Sequence, residues 1–229
     1  MSAVVYTLIP LGALILGAVI TVLHRPGPKL QSVLQHFAAG VVFAAAASEI
    51  LPDLKHNGSA WAVVIGGGVG IIVMLAIKHF SKRSKSPFSI AAVTGIDILM
   101  DGLVLGISFA AGARQGLLLT IALTTEVLFL GLTLAAEFGE AVASRWKAVA
   151  LTGLIGLALP VGALLGIPVG SLSGPVLAGF YAFGLIALLY LVTEELLVEA
   201  HEQPDTPLIA SMFLIGFLLL LLLEDILPQ

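Results

Sequence analysis

Apolar residues in this chain gather into eight stretches, at about 4–23, 32–52, 59–78, 89–111, 115–137, 147–167, 175–199 and 207–227. A helix crossing a hydrocarbon layer about 30 Å thick needs roughly 20 such residues, and each stretch comes close to that length. Turn-forming or charged clusters punctuate them: Pro26-Gly27-Pro28, Asn57-Gly58, the basic run 82–87 and Pro204-Asp205-Thr206-Pro207. The break at 166–174 is the least marked. Nothing basic precedes the first stretch, as it would in a cleaved leader, so that stretch is expected to be a span. The pattern predicts an all-α, polytopic membrane protein: one bundle over residues 1–229 with eight transmembrane helices.

Composition strengthens this reading. Of 229 residues, 59% are hydrophobic and 10% charged, with a mean hydropathy of +1.12. A soluble domain carries about 25% charged residues, so lipid has to cover most of this surface. The chain has no cysteine, which excludes disulfides and thiolate ligands.

Charge then orients the spans. Loops after odd-numbered spans hold Arg25, Lys29, Lys78, Lys82, Arg83, Lys85, Arg145 and Lys147; loops after even-numbered spans hold Lys55 and Arg114. Cytoplasmic loops are enriched in Lys and Arg, so both termini are expected to be extracytoplasmic.

Acidic residues within spans carry the chemistry, because each costs about 2.5–3.5 kcal/mol even on the lenient insertion scale. The fourth span holds Asp97 and Asp101, four residues apart and therefore on one helical face. The fifth holds Glu126 at a similar depth. No Lys or Arg lies at that depth, so the repulsion among three carboxylates must be relieved by protons or by a cation. The two runs echo each other: Asp97-x-x-x-Asp101-Gly102-Leu-x-Leu and Glu126-x-x-x-Leu130-Gly131-Leu-x-Leu. Gly102 and Gly106 form a small-residue face, expected to let the helices approach until short Asp side chains share an ion. Further acids close the second span (Glu49, Asp53) and the seventh (Glu194, Glu195, Glu199, with His201). These are read as outer and inner mouths of a cation pathway, or as accessory sites.

These motifs resemble the Zrt/Irt-like protein (ZIP) family of divalent metal transporters. Alignment on Gly102 places Asp101 at the family's span-four Glu and Asp97 at its His, and Glu126 at the first metal-binding position of span five. His36-Phe-Ala-Ala-Gly40 with Glu49-Ile-Leu-Pro-Asp53 is similar to the family's second span, and Glu195-Leu-Leu-x-Glu199-Ala-His201 to its seventh. The chain departs from the pattern at Met100, in place of the span-four Pro, and at Leu130, in place of the second span-five ligand. One mononuclear site is therefore what its residues support. The resemblance implies eight spans, extracytoplasmic termini, a homodimer, and spans one, four, five and six moving against two, three, seven and eight.

The expected function is transport of a divalent metal cation through a site made of Asp97, Asp101 and Glu126, by alternating access. Carboxylates suit Mn²⁺, Fe²⁺ or Mg²⁺ and also bind Zn²⁺. The metal is substrate; no cofactor and no nucleic-acid partner is expected, and the protein is read as a multi-pass protein of the cell membrane, not an enzyme. Two rivals remain open. A proton or monovalent-cation carrier also uses buried acids. An intramembrane aspartyl protease needs its aspartates on two helices, whereas Asp97 and Asp101 share one, and no His-Glu-x-x-His motif is present.

Overall fold

The computed structural model describes residues 3–57, 59–81, 87–142, 144–172, 174–204 and 206–226. Among these, eight helices are long and apolar enough to cross a membrane: α1 (Ala3–Leu23), α2 (Pro28–Ile50), α3 (Ala60–His79), α4 (Ile90–Ala111), α5 (Ala113–Gly139), α6 (Arg145–Ser171), α7 (Gly174–Ala200) and α8 (Pro207–Ile226). No strand occurs among the described residues. Trp61, Ile72, Leu154 and Leu222 point outward, giving the bundle the apolar exterior that lipid requires.

Local chemistry explains the helix boundaries and irregularities. At the start of α2, Gly27 is extended and Pro28 fills the first turn, where a missing N–H costs nothing. Near its end α2 widens into a π turn over Ala46–Ile50, closed by Leu51 N–H on Ala46 O, and the helix runs on through Leu51–Asn57. Pro52 supplies a reason, since it lacks an N–H and its ring excludes the carbonyl four residues back. The same effect at Pro160 accounts for the interruption of α6 at Leu157. A second π turn spans Leu191–Leu196 in α7, closed by Leu197 N–H on Val192 O. The two π turns carry Glu49 and the Glu194-Glu195 pair, and π turns gather at functional sites.

The helices pack as two quartets. In the first, α1 lies along α5, α4 along α6, and the two pairs meet through α4–α5 and α1–α6; in the second, α2 lies along α8, α3 along α7, and α2 meets α7. Each long pairing is a glycine seam. A Cβ on Gly102 of α4 would strike the carbonyl oxygen of Leu159 in α6, and one on Gly162 would strike that of Leu99 in return. Gly40 and Gly216 lock α2 to α8 in the same reciprocal way, against the backbone of Phe213 and Phe37. Gly131 meets Leu14 O across α5–α1, and Gly66 meets Gly179 across α3–α7. The quartets face each other chiefly through α2–α5, with smaller contacts of α4 on α3 and α7; on the last of these the atoms nearest Gly184 of α7 belong to the Val104 side chain of α4.

The expected role of the Gly102–Gly106 face is corrected here. It closes on α6, at Leu159 and Ala163, and not on α5, which carries Glu126. The sequence echo between spans four and five has the same explanation. Gly102 and Gly131 each anchor their helix to a third one, α6 and α1 respectively, leaving the acid-bearing faces free for each other.

Candidate metal centre

Asp97 and Asp101 stand one turn apart on α4, and α5 brings Glu126 against them from the neighbouring, antiparallel helix. One carboxylate oxygen from each of the three lies within 4.8 Å of the others. Asp101 and Glu126 are 5% and 2% exposed, and Asp97 is half-buried. Asp101 Oδ2 and Glu126 Oε2 are buried without a hydrogen-bond partner. Ion pairs occur elsewhere, at Lys78–Glu194 and Arg114–Glu224. Three ionised carboxylates within apolar helices would cost about 8–10 kcal/mol on the insertion scale, as much as a typical domain's whole stability. Protons or a cation bound among them would relieve that cost.

A small void of about 30 Å³ adjoins the group, lined by Asp97 and Glu126 from the first quartet and by Gln35, Glu195 and Glu199 from the second. The carboxylates therefore sit on the face between the quartets. Gln35 is buried and donates through Nε2 to Glu199 Oε2, which ties α2 to α7 beside the void. The void borders a larger cavity of about 490 Å³ that holds Asp97, Thr94, Thr133, Glu137, Glu194, Glu195, Glu199 and Lys78. Its residues come from the end of α3, the start of α4 and the ends of α5 and α7, so it lies on the side of the loop joining α3 to α4. Lys78 donates to Glu194 there. Towards the other side, Val104, Leu105, Ile107, Leu118, Leu119 and Leu123, each no more than 2% exposed, pack into the continuous apolar core.

The structure sorts the remaining sequence candidates. Glu195, expected at the inner mouth, reaches the central void, because α7 continues as helix past it to Ala200. Glu199 lines both the void and the larger cavity. His201 is exposed just beyond α7, with Nδ1 donating to Leu197 O and its ring 5.1 Å from that of His36. Glu49 is buried in the π turn of α2, where Ser48 Oγ donates to it at 3.4 Å, and it does not join the carboxylate group. The side chain of Asp53 lies outside the described residues.

Among the cavity residues that escaped the sequence reading are Gln35 and Glu137. A signal existed for the second. Glu126, Leu130, Thr133 and Glu137 recur at steps of four, three and four, which is one face of a helix. Gln35 stood out only as an amide within a span.

No family model matches the chain. Comparison with individual proteins is informative. The chain is 33% identical over 195 residues to the zinc transporter GufA of Myxococcus xanthus, covering 78% of this chain and 77% of that protein. It is 29% identical over 240 aligned positions to the zinc transporter ZIPB of Bordetella bronchiseptica, covering 91% and 76%. Both relatives are named as transporters, which are not enzymes, and with its eight apolar helices this chain is an integral, multi-pass membrane protein. Similarity of this extent, together with the span-four, span-five and span-seven motifs, makes the chain a member of the Zrt/Irt-like protein (ZIP) family.

Proposed function

We propose that the protein carries a divalent metal cation across the cell membrane by alternating access, binding it at mid-membrane through Asp97, Asp101 and Glu126. The observation that carries this reading is the convergence of three carboxylates within 4.8 Å, two of them buried with an oxygen that lacks a partner. A divalent ion meets the missing charge and the missing bonds together. Zinc is the first metal to test, since both relatives are named for it; the all-oxygen ligand set also suits Mn²⁺ and Fe²⁺.

The bundle forms one unit over residues 1–229 with both termini extracytoplasmic, on the argument from basic loops. On that orientation the 490 Å³ cavity faces the cytoplasm, and the described state is open inward. Glu195 and Glu199 then receive the ion as it leaves, His201 stands at the cytoplasmic rim, and Glu49 and Asp53 serve the outer approach. The metal passes through as substrate, and the transporting unit is a homodimer, as the family resemblance implies.

Uptake into proteoliposomes across a panel of divalent ions tests the function. Zinc, manganese or iron should accumulate, and competition among divalent ions should be mutual. Transport of protons or Na⁺ alone, indifferent to divalent ions, would move the reading to a monovalent carrier. For orientation, a tag at residue 1 or 229 should react with an impermeant label on intact cells, and a tag at Arg83 should react only after the membrane is opened. The reverse pattern would invert the mouths.

A further inference from the structure

We propose that Arg114 of α5 and the last turn of α8 form a latch that holds the site shut on the membrane face opposite the large cavity. Arg114 lies in the first turn of α5, and its Nη2 donates to the backbone oxygen of Glu224 at 2.6 Å. The same guanidinium stands 3.6 Å from Glu224 Oε1, with the two side chains 27% and 23% exposed. The last four carbonyls of a helix lack partners in their own helix, so Arg114 caps α8 from a different element. A charge-assisted bond, shielded from water to this degree, is among the stronger polar contacts a protein makes.

Its position gives the bond its meaning. α5 belongs to the first quartet and α8 to the second, so the bond crosses the face on which the carboxylates lie. By contrast, Thr21 to Leu132 O joins α1 to α5, Lys78 to Glu194 joins α3 to α7, and Gln35 to Glu199 and Ser32 to Ala200 O join α2 to α7, each within one quartet. Arg114 and Glu224 also lie at the membrane face where α5 begins and α8 ends, away from the cavity formed by the ends of α3, α5 and α7. Alternating access requires the two quartets to move apart at that face, and this bond ties them together there. The latch must then break once in every transport cycle. This inference rests on the alternating access proposed above.

The natural chain has no cysteine, so introduced thiols report without background. In the double variant Arg114→Cys, Glu224→Cys, the two thiols are joined by a short bifunctional methanethiosulfonate in proteoliposomes, and bridging is verified by mass spectrometry. Uptake of Zn²⁺ should fall at least tenfold relative to the unbridged variant and recover when the bridge is reduced, while equilibrium Zn²⁺ binding in detergent persists. Uptake at the unbridged rate with bridging complete would overturn the latch. A second measurement does not depend on that variant. Val104 faces α7 across the two quartets, and Ser108, one turn further and 4% exposed, shares its side of α4. In Ser108→Cys, labelling by an impermeant maleimide from the α5-start face should be slow, and adding Arg114→Gln should accelerate it several-fold. An unchanged labelling rate would equally overturn the proposal. Failure of the transport reading itself shows differently, as absence of divalent-ion uptake in the unmodified protein.

Discussion

The seams inside each quartet and the face between the quartets are built on different principles. Inside, helices meet backbone to backbone: Gly102 and Gly162 each sit against a carbonyl of the opposite helix, as do Gly40 and Gly216 in the other quartet. Such contacts need no side-chain ordering, and any added atom must displace a main chain. Between the quartets, contact is made by side chains, exemplified by Val104 against α7, and the polar groups Asp97, Glu126, Gln35 and Glu195 gather around a void. Side-chain faces can slide or part by changing rotamers; glycine seams cannot. The contrast separates two closely seamed quartets from a face built of side chains, and the carboxylate group lies on that face.

The sharpest attack on this contrast is aimed at the carboxylates. The double variant Asp97→Asn, Asp101→Asn should lose divalent-ion uptake by 100-fold or more and still fold, because the amides keep the shape while removing charge. Its melting temperature in detergent should hold or rise, since deleting an uncompensated buried charge removes a desolvation penalty. Uptake at the normal rate would sink the site.

The next largest effect belongs to the seams. Gly162→Leu forces a side chain into the backbone of α4 and should cost at least about 1–3 kcal/mol, the usual penalty for overpacking, with a matching fall in melting temperature or loss of folded protein. Gly184→Ala on the side-chain face meets first the Val104 side chain, whose methyls lie 3.2 and 3.4 Å from the added atom, and should lower stability far less. Equal damage at both positions, read by size-exclusion chromatography after heating, would break the distinction between the two kinds of interface.

A smaller effect sharpens the picture of the site. Protons and metal compete for the same carboxylate oxygens, so metal binding should weaken as pH falls and should release protons where the group still holds them. The titration belongs to the cluster as a whole and not to one member. Glu126→Gln should lower affinity and flatten the pH dependence. Calorimetry in buffers of different ionisation enthalpy counts the protons, and an unaltered pH profile in that variant would exclude Glu126 from the ligand set.

The sequence alone determined the membrane class, the number of crossing helices and the identity of the central acids. The physical reason is that lipid leaves few choices. A stretch of about 20 apolar residues without polar partners has to become a helix, and an acid inside one costs too much to be incidental. Asp97, Asp101 and Glu126 were visible for that reason alone. Span length also announced α7, but not that its acids would reach inward. The sequence puts Glu195 at a mouth because it lies near the end of an apolar run, and only the π turn and the helical continuation to Ala200 carry it to the void. The spacing of Gly102 and Gly106 was equally plain, while its partner was not, since small-residue faces state how near a neighbour can come and not which neighbour it is. Choosing α6 for that face, bringing Gln35 of α2 to Glu199, and setting Arg114 against the end of α8 all depend on how eight similar apolar cylinders pack. All eight cylinders are apolar enough to span, so their arrangement is decided by steric fit and a few polar bonds between residues more than 100 positions apart, which only the tertiary structure brings together.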